Sequence, residues 1–245
     1  MKSIAVFSVK GGVGKTTLAV NLAYAAAAQS ARRTLLWDLD VQGAATYALR
    51  LDARPGASAR KVFAGSAELR SLVQPSQYDR LDVLAADRSL RQLERQLTDD
   101  DKAKRLRKML KDFDRDYDRV ILDCPPGLTE LADQVFRAVD VLVVPMLPSP
   151  LSMRAFDQLT AHLAREPRKG LSVLPVFTMV DRRKSLHKAI IDATPDRLTI
   201  PYASAIEKLG VEQAPIGARA SGGVAARAFN AVWVAIERAI SETGA

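Results

Sequence analysis

Residues Lys10-Gly11-Gly12-Val13-Gly14-Lys15-Thr16-Thr17 follow an apolar run and precede a long alanine-rich stretch. Glycines at these positions let the backbone turn so that its N–H groups face inward. The helix behind adds the partial positive charge of its N-terminus. A strand, such a turn and a helix in that order make a cradle for phosphate oxygens. Lys15 is placed to reach the β- and γ-phosphates of a nucleoside triphosphate, and the Thr16 hydroxyl to ligate Mg²⁺. The full pattern G-x-x-x-x-G-K-[ST] is not met, because Val9 stands where its first glycine belongs. The loop carries a second lysine, Lys10, and a Gly-Gly pair instead. A dinucleotide-binding G-x-G-x-x-G fails too, since Thr17 occupies the last glycine position. A chance glycine turn would not be expected to carry both flanking elements.

Beyond the loop, apolar runs alternate with helical patterns, the sign of a parallel sheet covered on both faces. The runs predict strands at Ser3–Val9, Thr34–Asp38, Leu81–Ala85, Arg119–Asp123, Val139–Pro145, Ser172–Met179 and Leu198–Ile200. Helices are expected at Thr16–Ala31, Leu90–Leu97, Lys102–Phe113, Leu128–Ala138, Met153–Arg165, Leu186–Asp192 and Val224–Ile240. The fold class is therefore α/β, three layers with a mostly parallel twisted sheet flanked by helices. A length of 245 residues and 48 % hydrophobic content suit one domain over residues 1–245, with a surface excursion at Asp52–Ser58. Lys10 and Lys15 interrupt what would otherwise resemble a secretory signal, and no apolar run approaches the ~18 residues that cross a bilayer. Nothing supports Ser-His-Asp chemistry around His162 or His187, and one cysteine with two histidines argues against a zinc site.

Two strand ends place carboxylates where ligands bind in open α/β sheets. The second strand ends Asp38-Leu39-Asp40-Val41-Gln42-Gly43, and the fourth ends Asp123-Cys124-Pro125-Pro126-Gly127. The apolar run Val120-Ile121-Leu122 terminating in Asp123 forms the Walker B pattern, a carboxylate that contacts Mg²⁺ through water. A solvated turn is the alternative for Asp38 and Asp40.

The loop KGGVGKTT resembles the deviant Walker A loop of the ParA/MinD family of P-loop ATPases. The Asp38–Gly43 segment resembles that family's DxDPQG, with Val41 for proline, and DCPPG its Walker B end. Ala225-Ala226-Arg227-Ala228-Phe229 is similar to orphan ParA homologues. The resemblance implies a Mg²⁺-dependent ATPase, slow without a partner. In it Lys10 reaches across an ATP-bound homodimer, Asp40 positions the attacking water and Asp38 holds the metal's hydration shell. It places Asp181 and Pro201 in the base pocket. Relatives that carry an iron–sulfur cluster between subunits would need two cysteines per chain, and Cys124 stands alone.

The net charge of +8 favours a polyanionic partner. On the middle helix Leu106, Met109, Leu110 and Phe113 share one face, with Lys104, Lys108 and Lys111 opposite, either a solvated face or a DNA-facing stripe. Arg182, Arg183, Lys184 and Lys188 form a denser cluster, and Arg219 and Arg227 flank the last helix. In the ParA branch, ATP-bound dimers bind DNA non-specifically through basic residues of the C-terminal part. The resemblance therefore implies a cytoplasmic, nucleoid-associated protein that positions DNA or a protein cargo through a stimulating partner, which Asp52–Gln77 could contact. Four phosphate contacts would give a slope of log K against log salt of about −3.6. A membrane-associated, MinD-like regulator of division-site placement is the alternative. Phe229, Val232, Trp233, Ile236 and Ile240 would be its apolar stripe, although the polar side mixes acids with arginines. A metabolic enzyme of the same fold, activating a small substrate with ATP, is a third reading.

Overall fold

The computed structural model describes residues 1–52, 69–86 and 105–243. Strand β1 (Lys2–Val6) leads through the glycine loop into helix α1 (Lys15–Gln29), then β2 (Thr34–Asp38) and a short α2 (Ala44–Ala48). A 3₁₀ turn at Leu69–Leu72 opens β3 (Val73–Pro75), followed by β4 (Leu81–Leu84), α3 (Arg105–Lys111), β5 (Arg119–Asp123) and α4 (Glu130–Ala138). Then come β6 (Val141–Met146), α5 (Pro150–Leu163), β7 (Ser172–Val180), α6 (Ser185–Asp192) and β8 (Leu198–Pro201). Three single-turn helices, α7 (Ser204–Glu207), α8 (Leu209–Glu212) and α9 (Ile216–Arg219), precede the long α10 (Val224–Glu242).

The strands form one sheet in the order β3-β4-β2-β5-β1-β6-β7-β8, parallel except for the β3–β4 pair. β1 connects to β2 on one side of itself, whereas β5 connects to β6 on the other. The phosphate loop thus leaves the sheet's carboxyl edge where connections diverge, the usual ligand crevice of such sheets. Alternate strand residues feed two cores. Ile4, Val6, Leu36 and Ile121 pack under α1 and α10, and Ala5, Phe7, Leu35 and Val120 under α3, α4 and α5. Burial on both faces is why the strands read as unbroken apolar runs.

The apolar stripe of α10 is spent on this packing. Phe229, Val232, Trp233 and Ile236 are buried, and the Trp233 indole donates to Ser30 Oγ at 2.7 Å. Withdrawing each such side chain from water stabilises by roughly 2 kcal/mol, and a helix leaving for a bilayer would uncover the sheet residues packed beneath it. Among the described residues no helix is long and apolar enough to cross a membrane. At the helix's far end Glu237 receives a two-pronged bond from Arg119 at 2.7 and 2.8 Å, tying α10 to the start of β5.

Several boundaries differ from the sequence expectation. β1 ends at Val6 rather than Val9, because Phe7, Ser8 and Val9 stay buried or half-buried while leaving the ladder to enter the loop. β6 starts at Val141, not Val139: the Val139 N–H closes α4 on Val135, and Asp140 accepts bonds from the Ser3 N–H and hydroxyl. β3, α2 and the three single turns had no sequence signal. The expected helix Leu90–Leu97, the start of Lys102–Phe113 with Lys104, and the excursion beyond Asp52 lie outside the described residues. In the described part of the middle helix Leu106, Met109 and Leu110 are buried, while Lys108 and Lys111 are exposed.

Candidate functional site

The loop owes its shape to two glycines. Gly12 and Gly14 have φ of 72° and 84°, a region that strains any residue with a Cβ. Gly14 caps α1 without a side-chain bond, and the first turn of α1 holds no acid. Its N–H groups are therefore left for an anion. The Val13 carbonyl, facing away from the cradle, accepts a 2.8 Å bond from the Thr178 hydroxyl on β7. Lys15 is buried and its Nζ donates to the Lys10 carbonyl at 3.3 Å. Burial lowers its pKa, against the opposing pull of Asp123 and Asp40. The Lys10 ammonium has no side-chain partner among the described residues.

Asp38 and Asp123 are register partners on β2 and β5, both fully buried. Asp38 is well supplied with donors. Its Oδ2 accepts from the Thr46 N–H (2.9 Å) and hydroxyl (2.8 Å), and its Oδ1 from the Asp40 N–H (3.2 Å). Burial still raises its pKa to about 6. Asp123 has no such support: neither oxygen has a hydrogen-bond partner among the described residues. Burial first, and the charge of Asp38 second, push its pKa well up. The Thr16 hydroxyl lies near enough to favour the charged form without meeting hydrogen-bond geometry. Asp40 is half-exposed and accepts a 3.0 Å bond from the Gln42 N–H.

Orphaned carboxylate oxygens beside Thr16 fit the outer shell of a hydrated Mg²⁺. Among the described residues no three acidic, histidine or cysteine side chains converge to hold an ion by themselves. An ion here would therefore draw its ligands from phosphate, water and a single hydroxyl, as Mg²⁺ commonly does. Cys124 is buried in the apolar layer, with its thiol pKa raised by burial.

Beside the loop lies a cavity of about 340 Å³ walled by Gly14, Thr16, Met179, Ile200, Pro201 and Tyr202 among others. Pro201 is one of its walls. Asp181 is not one of its walls. Its carboxylate clamps the Arg183 guanidinium through two 2.9 Å bonds, which hold its pKa at about 2. Met179 takes a left-handed backbone (φ 52°) that brings its Cε to 3.8 Å from where a Gly14 Cβ would sit. The sequence reading takes Asp181 from this strand end rather than Thr178 or Met179. The one signal was a hydroxyl at the end of an otherwise apolar strand.

The basic cluster is smaller than its sequence suggests. Arg182, Arg183, Lys184 and Lys188 are all exposed, and Arg183 alone of the four is bonded to a carboxylate, that of Asp181. Arg219 is turned inward, paired with Glu212 and donating to the Ala205 carbonyl at 3.0 Å, because the single-turn helices fold back on one another. Arg227 is exposed and donates to the Gly222 carbonyl.

A sequence profile described as an AAA domain matches residues 1–169. The chromosome partitioning protein ParA of Myxococcus xanthus is 32% identical over 199 residues, covering 77% of this chain and 69% of that protein. The cobyrinic acid a,c-diamide synthase of Mycobacterium smegmatis, solved with a bound ATP analog and magnesium, superposes with a TM-score of 0.80 at 26% identity, covering 97% and 94% of the two chains. The septum site-determining protein MinD of Pyrococcus horikoshii, solved with Mg-ADP, gives 0.78 at 21% identity over 99% and 98%, a likeness of fold alone.

Proposed function

The chain belongs to the ParA family, carried on an AAA-type domain, and on that premise we propose that it is a Mg²⁺-dependent ATPase that switches between monomer and ATP-bound dimer. In the dimer it binds DNA without sequence preference and so positions DNA or a protein cargo. The observation that carries the reading is Asp123: a buried carboxylate with both oxygens unpartnered, beside Lys15 and Thr16 at the mouth of α1. Such a group is costly to bury unless a cation with its water shell comes to it.

In this reading the inward N–H groups of Gly11–Thr17 and the Nζ of Lys15 take the β- and γ-phosphates. Thr16 ligates the metal, while Asp123 and Asp38 hold its water. Bound Mg²⁺ supplies charge neutralisation on the phosphate oxygens. Asp40 orients the attacking water, and Lys10 of each subunit approaches the other's nucleotide, a cation supplied in trans. Pro201, Met179 and Tyr202 flank the base. Arg182, Lys184 and Lys188 face DNA phosphates, and a separate protein stimulates turnover. Within Asp52–Gln77, residues 53–68 lie outside the described residues.

The test is retention on DNA with ATP, with ADP and without nucleotide, over a salt series. Retention with ATP alone, falling as salt rises, supports the proposal; equal retention in all three states contradicts it. A second reading, ATP-driven activation of a small substrate, has the 26% identity to a diamide synthase behind it. That enzyme class would turn over without DNA or a protein partner.

A further inference from the structure

At the opposite, amino edge of the sheet lies a second cavity, of about 490 Å³, between the C-terminal ends of α4 and α5 and the start of β7. Its volume falls within the range of small-molecule sites. Ligands of open α/β sheets bind at the carboxyl edge, so this space is no part of the nucleotide site. Its floor is apolar, formed by Phe136, Leu163, Leu171 and Val173. Its rim carries two polar side-chain pairs. His162 Nε2 lies 2.6 Å from Asp133, joining α5 to α4, and Arg137 donates to Glu166 at 2.6 and 3.1 Å, joining α4 to the following loop. These bonds fix the walls before any ligand arrives.

The charges do not balance. Asp133 and Glu166 are engaged by His162 and Arg137. Arg165 is exposed and has no side-chain partner among the described residues. Arg168 is half-buried: its Nη1 is buried with no partner, and its Nη2 reaches Asp140 only at 3.9 Å. The two bonds from Ser3 go to the other oxygen of Asp140, Oδ2, and leave Oδ1 facing Arg168. Burial lowers the Arg168 pKa, Asp140 pulls against that shift, and Arg107 on α3 adds a repulsive positive charge. One long pair with Asp140 leaves this guanidinium short of acceptors, and an anion in the cavity would add charge-assisted bonds to its accessible edge.

We propose that this cavity is a ligand site separate from the nucleotide site, taking a small organic anion. Its carboxylate or phosphate group meets Arg168 and Arg165, and its apolar body lies against Phe136, Leu163, Leu171 and Val173. α4 begins just beyond Gly127 at the end of the Asp123 segment, and α5 runs on from β6. An occupant between their far ends therefore sits on the two helices that lead away from the carboxyl edge.

The test uses the full chain saturated with Mg-ADP, so that the phosphate loop is filled. Phenyl phosphate, benzoate and the neutral benzamide are titrated by ligand-observed NMR, each up to about 10 mM, enough to detect millimolar dissociation constants. Binding of either anion but not of benzamide, weakened about tenfold or more in Arg168→Gln with ADP affinity unchanged, supports the site. Which of the two anions binds tells phosphate from carboxylate. Arg165→Gln, an exposed position, serves if Arg168→Gln lowers the thermal midpoint, and a weakening of at least threefold is expected. Failure of both anions to bind, equal binding of benzamide, or affinity unchanged in these variants overturns the proposal. None of these outcomes bears on the phosphate loop.

Discussion

The carboxylates of Asp38 and Asp123 stand opposite one another on adjacent parallel strands, buried together, and only Asp38 is hydrogen-bonded. Both bind protons more tightly in the fold than in the unfolded chain. Protonation therefore contributes stability below the ordinary carboxylate pKa, and that stability is lost as pH rises. For Asp38 the window runs from 3.8 to about 6. A shift of that size corresponds to roughly 3 kcal/mol.

The nucleotide-free protein should accordingly gain thermal stability from this pair as pH is lowered from about 7 to about 5. Asp123→Asn, which removes the unsupported charge, should raise the midpoint at neutral pH, flatten that dependence and abolish Mg²⁺-dependent hydrolysis. Thermal melts over a pH series check this. A variant less stable than wild type at neutral pH would contradict it.

Asp40→Ala should leave ATP binding and dimerisation intact while slowing hydrolysis by about 10²-fold or more, the size expected for loss of a positioned base. Phosphate release at saturating ATP is the measurement. Normal turnover would remove Asp40 from the role proposed for it.

Thr178 buckles the phosphate loop to β7 through the Val13 carbonyl. Thr178→Val keeps the shape and loses the bond, so ATP affinity should fall by about tenfold, one hydrogen bond's worth. Thr178→Ser should restore it. Calorimetric titration of both variants checks this, and equal affinities for the two would show that the bond does not set the loop.

Asp181 neutralises the exposed Arg183, so three cations of the cluster carry uncompensated charge toward DNA: Arg182, Lys184 and Lys188. The slope of log K against log salt should then be about −2.7 rather than the −3.6 of four contacts. Replacing all three by alanine should bring it near zero. A slope unchanged in the triple variant would move the DNA contacts elsewhere.

The parallel sheet was legible because burial on both faces writes itself as unbroken apolar runs, and the phosphate loop because only glycines suit its backbone. Asp38 and Asp123 were found from their places at strand ends. The sequence could not tell that Thr46 engages one and nothing engages the other, since that depends on a five-residue helix with no periodicity to read. Strand β1 was drawn too long because apolar residues report burial, not ladder pairing. Arg183 and Arg219 looked available because a charge run does not show which members face their own fold's carboxylates.

The account rests on Lys10 acting outside its own subunit. Sedimentation with a non-hydrolysable ATP analogue and Mg²⁺ tests it most directly. Wild type is predicted to become a dimer, and Lys10→Ala to bind the analogue yet remain monomeric. A wild-type protein that stays monomeric when saturated, or a Lys10→Ala variant that dimerises as readily, would contradict it.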